Sequence, residues 1–229
     1  MVSVVVPAFN EGASLGSVLL RTHQTLQALA LPYELIVVDD GSTDQTAATA
    51  ISHGARVISN GGNLGKGYAL RTGLDEAKGD LMVTLDADGE NRPEEIQLLL
   101  EPILKGYPPP DVVIGSRFAG DIEPGAATFS HIFGNKILNV VIFFLTGRWV
   151  SDSQCGFRAF KRELVQSLSL ESKGYEIESE ITVKLLKRGC AVMVVPVTYS
   201  RRVAGTSRLR TFRDGFRILR TIIRVFFAS

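Results

Sequence analysis

The sequence predicts an α/β fold with a mostly parallel sheet flanked by helices. Two observations carry this: short apolar runs alternate with helical periods through the first half, and three of those runs end in acidic or amide side chains. Strands are expected near residues 2–6, 33–38, 56–59, 80–85 and 111–115. Between them, Leu15, Val18, Leu19, Leu26 and Leu29 share one helical face, and Ala69, Leu70, Gly73, Leu74 and Ala77 share another. Pro93 suits a helix start and is followed by Ile96, Leu99, Leu100 and Ile103, with Lys105-Gly106 closing the helix. After Ser116 the pattern changes. A loop rich in Gly, Pro and Ala leads into an apolar helix, residues 150–158 are too polar for a core strand and read as a loop lining a site, and a helix over 176–188, a strand over 192–195 and a helical tail follow.

A chain of 229 residues that is 45% hydrophobic can bury a full core in one or two domains. Cys155 and Cys190 stand in neither a redox nor a zinc spacing and read as reduced, buried thiols. The first residues enter a strand at once, without a basic and then apolar leader, so the expectation is a cytoplasmic protein. The longest apolar run, residues 140–145, is far short of the roughly 20 residues that span a bilayer, so no transmembrane helix is expected. Net charge is +1 but unevenly placed: from Arg201 onward eight Arg face one Asp, leaving the first 200 residues at −6.

The strand ends carry the chemistry. The run ending at Leu85 meets Asp86-Ala87-Asp88, and carboxylates two residues apart on a strand project to the same side. Oxygen ligands of this kind suit Mg²⁺ or Mn²⁺ held jointly with substrate phosphates, which points to a nucleoside diphosphate; the plain alternative is a turn. The runs ending at Val6 and Val38 meet Pro7-Ala8-Phe9-Asn10-Glu11 and Asp39-Asp40-Gly41-Ser42. In an open parallel sheet the three would converge on the crevice beyond the carboxyl ends. Residues 61–67 fail as a P-loop, because Asn60 and Gly67 stand where Gly and Ser or Thr are needed, but Lys66 at a helix start still suits an anion. No G-x-G-x-x-G follows the first strand, which argues against a dinucleotide oxidoreductase, and no aromatic RNA-binding motif is present. His23, His53 and His131 lack a second ligand at metal spacing.

Taken in order, Pro7-Ala8-Phe9-Asn10-Glu11, Val37-Val38-Asp39-Asp40-Gly41-Ser42, Asn63-Leu64-Gly65-Lys66-Gly67, Asp86-Ala87-Asp88, Gly115-Ser116-Arg117-Phe118 and Gly156-Phe157-Arg158 resemble the motif set of family 2 glycosyltransferases. The set is most similar to the branch that makes polyprenyl-phosphate (dolichyl-phosphate) mannose or glucose. The resemblance implies a GT-A type fold, with a single domain over residues 1–200, a nucleotide-sugar half to about residue 118 and an acceptor half beyond it, and a basic loop and amphipathic helix over 201–229. It implies Pro7, Asn10, Glu11, Asp39, Asp40, Lys66, Asp86 and Ala87 at the nucleotide, and Asp86, Asp88 and Glu90 at the metal, with Glu90 where the family frequently has Gln. It places Arg117, Arg158, Arg202, Ser207 and Arg208 at the acceptor phosphate, each Arg with a structural alternative. The implied reaction is inverting transfer of a hexose from a GDP- or UDP-sugar to polyprenyl phosphate, with Asp86 and Asp88 as the catalytic pair. Such an acceptor is already largely ionised at neutral pH, whereas a glycan hydroxyl would need a base, for which Asp152 or Glu178 is the candidate. A glycan-extending transferase and a non-catalytic nucleotide-binding membrane module stay open, as do a homo-oligomer and a membrane partner.

In the tail, Arg210, Arg213, Arg217, Arg220 and Arg224 recur at helical spacing, with Phe212, Phe216, Leu219, Ile223 and Phe226 out of phase. This predicts opposed basic and apolar faces, suited to the cytoplasmic face of a membrane or to packing on the domain.

Overall fold

The computed structural model describes residues 1–205 and 211–228. In chain order the elements are β1 (Val2–Ala8), α1 (Gly12–Ala28), β2 (Tyr33–Asp39), α2 (Thr46–Ser52), β3 (Arg56–Ser59), α3 (Lys66–Glu76), β4 (Leu81–Thr84), α4 (Ile96–Lys105, after a 3₁₀ turn at Pro93–Glu95) and β5 (Val112–Ser116). The second half adds α5 (Phe129–Thr146), β6 (Arg158–Lys161), α6 (Arg162–Gln166), α7 (Ile177–Lys187), β7 (Val192–Pro196) and α8 (Thr211–Phe227). One sheet takes the order β3-β2-β1-β4-β6-β5-β7. All neighbours are parallel except β6, which runs antiparallel to both β4 and β5.

The unbroken apolar runs have their cause in this architecture. Val4, Val5, Val6, Ile36, Val37 and Val38 are all fully buried, because helices cover both faces of a parallel sheet and leave no solvent side. Gly73 lets α3 lie close on that surface: a Cβ there would collide with Val5 and Val38. The predicted α/β architecture and its strands at β1 to β5 and β7 are present. The loop expected over 150–158 ends one residue early, since Arg158 opens a strand.

That reversed strand matters for the site. Because β6 runs against its neighbours, its amino end lies at their carboxyl ends, and the segment leading into it enters the same crevice as the turns after β1, β2 and β4.

Two helices differ from expectation. Asn139 does not interrupt α5, which runs for 18 residues and is long and apolar enough to cross a membrane by length and composition. Asn135 and Asn139 instead fasten one face to the domain through Asp152, Ser151 and Ser153, while Phe129, Phe133, Ile137 and Phe144 are exposed. In α8, Ile218, Thr221, Ile222 and Val225 form the buried face, and Leu219 and Phe226 pack at its margin. At 100° per residue the exposed apolar side chains, Phe216, Ile223 and Phe227, lie beside the stripe of Arg213, Arg217, Arg220 and Arg224. The exposed apolar and basic rows are therefore adjacent, not opposed, because the remaining arc is spent on packing.

Candidate active site

The left wall is built by crossed turns. Asn10, in a left-handed conformation (φ 54°), donates its backbone N–H to Ser42 Oγ (2.9 Å) and accepts from Thr43 N–H at Oδ1 (2.8 Å). These bonds tie the end of β1 to the end of β2. Pro7 is the penultimate residue of β1, in register with Val38. Asp39 accepts from Ser42 N–H (3.0 Å) and leaves its other oxygen uncommitted among the described residues, as a nucleoside contact requires. Asp40 corrects the sequence reading: it is buried, and it accepts from Asn60 Nδ2 (2.9 Å), Leu64 N–H (3.1 Å) and Gly65 N–H (2.8 Å). Its carboxylate holds the glycine loop in shape and has no capacity left for a nucleotide.

That loop delivers Lys66 to the crevice. Gly65 sits at φ 103°, where L side chains are strained, and Gly67 faces the backbone of residues 172–174. A Cβ on Gly67 would lie 2.7 Å from Ser172 O and 2.8 Å from Gly174 O. Gly67→Ala is expected to cost about 1–3 kcal/mol through this overpacking and to lower activity with it, read as a lowered urea midpoint. An unchanged midpoint would show that the contact yields freely.

The Asp86-Ala87-Asp88 turn lies just beyond β4 rather than on it, and its carboxylates meet different cations. Asp86 pairs with Lys66 Nζ at 2.7 Å, and Lys66 also lies 3.4 Å from Glu178, at the start of α7. Burial would lower the Lys66 pKa, but Asp86 and Glu178 outweigh it and hold the ammonium above its ordinary value. Asp88 pairs with Arg202 at 2.6 Å. The same guanidinium reaches Glu11 at 2.8 Å and Glu90 at 3.4 Å, so it gathers three carboxylates. Backbone bonds from Ser200 N–H to Glu90 O and from Val203 N–H to Asp88 O lay this segment across the acidic turn. Ala87 is buried between the two carboxylates.

Burial, with Asp86 and Glu90 alongside, pushes the Asp88 carboxyl up to about 7. A cluster of hard oxygens that holds more negative charge than it can comfortably ionise fits a divalent cation. Asp86, Asp88 and Glu90 could hold it with diphosphate oxygens completing the shell, since among the described residues no group of three or more His, Cys, Asp or Glu forms a closed protein site.

The acceptor-side residues divide. Arg117 donates from its backbone N–H, Nε and Nη2 to Asp152, at 3.2, 2.8 and 3.0 Å, and its guanidinium lies 4.9 Å from the Tyr199 ring centroid. Asp152 is fully buried and also accepts from Asn135 Nδ2 (2.9 Å). As a catalytic candidate it is therefore corrected: it positions Arg117 and is closed to substrate. Arg158 is corrected too, for it is fully buried and donates to Cys155 O, Ser153 O and Thr182 Oγ1 beneath the site. Its Nε lies 3.5 Å from Glu178, the structural pairing that the sequence left open. Arg202 lies at the crevice, whereas Ser207 and Arg208 are outside the described residues.

Sequence reasoning missed two features. Glu11 lies under Arg202, and residues 172–174 back the Lys66 turn. Both unite segments far apart in the chain, and no local pattern marks either.

The family model described as "Glycosyl transferase family 2" matches residues 3–169. The chain is 36% identical over 216 residues to glycosyltransferase AglJ of Haloferax volcanii, covering 93% of this chain and 68% of that protein. It is 30% identical to polyprenol monophosphomannose synthase of Mycolicibacterium smegmatis, covering 90% of this chain and 80% of the relative. It spans about half (51%) of the undecaprenyl-phosphate 4-deoxy-4-formamido-L-arabinose transferase of Photorhabdus laumondii, to which 73% of it aligns at 37% identity. Among solved structures it superposes on glucosyl-3-phosphoglycerate synthase from Mycobacterium tuberculosis, crystallised with Mn²⁺, uridine diphosphate and phosphoglyceric acid. The TM-score is 0.77 at 27% identity, covering all of this chain and 79% of the other.

Proposed function

The chain belongs to glycosyl transferase family 2, and we propose that it moves a hexose, with inversion, from a nucleotide-diphosphate sugar to the phosphate of a polyprenyl lipid. The observation that carries the acceptor class is the state of the two candidate bases. Asp152 is buried against Arg117, and Glu178 is buried between Lys66 and Arg158. A sugar hydroxyl would find neither carboxylate free to take its proton. A phosphate monoester has a second pKa of about 6 and needs no base. The named relatives that act on polyprenol and undecaprenyl phosphate support the same reading.

In this mechanism Asp39 and the Asn10 turn seat the nucleoside, and Lys66, at the amino end of α3, faces charge developing on the leaving diphosphate. Mg²⁺ or Mn²⁺, held through Asp86, Asp88 and Glu90, would supply further neutralisation of that charge when bound. Arg202, once it exchanges carboxylates for phosphate oxygens, and Arg117, held in orientation by Asp152, are the candidate clamps on the acceptor phosphate. The exposed rows of α5 and α8 would lie at the membrane surface from which the lipid is drawn, on its cytoplasmic face.

The test is a panel of UDP- and GDP-sugars with Mg²⁺ or Mn²⁺, with and without polyprenyl phosphate in detergent. The expected result is nucleoside diphosphate release that requires the lipid phosphate and yields glycolipid. Turnover on a glycan without lipid would replace the acceptor class, and nucleotide binding without turnover would reduce the chain to a binding module.

A further inference from the structure

A second cationic cleft lies outside the crevice, between α8 and the segment that leads into α7. Its α8 wall carries Arg217, Arg220, Thr221 and Arg224, and its other wall carries Glu171, Ser172, Lys173 and Glu176. Two arginines are balanced within it, Arg217 by Glu176 (2.7 Å) and Arg224 by Glu171 (3.3 Å). Lys173 and Arg220 have no carboxylate partner among the described residues, so the cleft keeps two uncompensated positive charges. On the same wall the Ser172 hydroxyl is buried without a hydrogen-bond partner. A buried hydroxyl left unsatisfied costs free energy, and beside excess cations the group that satisfies it is an anion with several acceptor oxygens. Ser172 is not there by looseness of the loop, since its backbone N–H donates to Glu180 at 2.8 Å and Gly65 and Gly67 pack against residues 172–174.

We propose that this cleft is a phosphate-binding site, separate from the transfer site, in which the Ser172 hydroxyl and the Arg220 and Lys173 cations hold one phosphate group. Two sources present that chemistry, free phosphate and the headgroup of an anionic lipid. The adjacent exposed Phe216, Ile223 and Phe227 would bring a headgroup to the cleft. The site does not rest on the transferase reading, because occupancy is measured without nucleotide or turnover.

The test titrates metal-free protein with inorganic phosphate, followed by ³¹P resonance, and floats it with phosphatidylcholine vesicles with and without phosphatidic acid. Ser172→Ala changes no charge and removes no existing hydrogen bond, and Arg220→Gln removes an exposed side chain, so both variants are expected to fold. Phosphate affinity is expected to fall roughly three- to tenfold in Ser172→Ala and on the order of tenfold or more in Arg220→Gln. If flotation on phosphatidic acid falls in the same order, the source is the headgroup; if flotation is unchanged while phosphate binding is graded, the source is free phosphate. No phosphate binding by the parent protein, or equal affinity in Ser172→Ala, overturns the site, the latter because diffuse charge attraction would not sense a neutral hydroxyl.

Discussion

Asp88→Asn is expected to lower transfer by about a hundred- to a thousandfold while leaving the fold at least as stable as before. Asparagine keeps the shape and one oxygen but removes the charge that binds the metal and anchors Arg202. The stability half follows from the crowding around the group. Burial and the neighbouring carboxylates push Asp88 up to about 7, above its ordinary value of 3.8, so in metal-free protein its ionisation works against folding. The sign is definite: stability is fully present below about pH 4 and is lost as pH rises through about 7. Urea midpoints of metal-free protein should therefore decline for the parent over that window and decline less for Asp88→Asn. Full transfer activity in the variant would remove the mechanism, and a collapsed midpoint would make Asp88 a structural group.

The second large effect falls on stability. Asp152→Ala is expected to destabilise by about 3–5 kcal/mol, because it strands a largely buried guanidinium and removes the acceptor of Asn135. Burial would lower the Arg117 pKa, but Asp152 more than offsets this and holds it well above the ordinary value, so the arginine cannot escape by losing its proton. Denaturant midpoints of both single variants and of Asp152→Ala/Arg117→Ala would decide it. The double variant should lose less than the two singles together, as coupled residues do. A normal midpoint with abolished transfer in Asp152→Ala would return that carboxylate to the chemistry.

Most of the sheet was legible because its strands are buried on both faces and so read as unbroken apolar runs ending in polar turns. β6 was hidden for a physical reason: Arg158 and Lys161 bound it, and Arg158 is tolerated in the core only because three acceptors surround it. The site shows the same division. Asp86, Asp88 and Lys66 announce themselves by place, at a strand end and a helix start. Asp40 and Asp152 look like site carboxylates until their donors are known, and those donors come from loops and helices elsewhere in the chain. Arg202 reaches across 191 positions to Glu11 and 114 to Asp88, a distance at which spacing carries no information. In α8, periodicity identified the helix but not the share of its surface that packs on the domain.

The polarity of the sheet also decides how the molecule can be handled. Every parallel strand after β1 is entered by a turn at the edge opposite the crevice, at residues 53–55, 77–80, 106–111 and 188–191 in β3, β4, β5 and β7. Tyr107, in the third of these turns, is completely exposed. A support or label attached there grips the protein by its non-catalytic edge and holds the crevice turned outward.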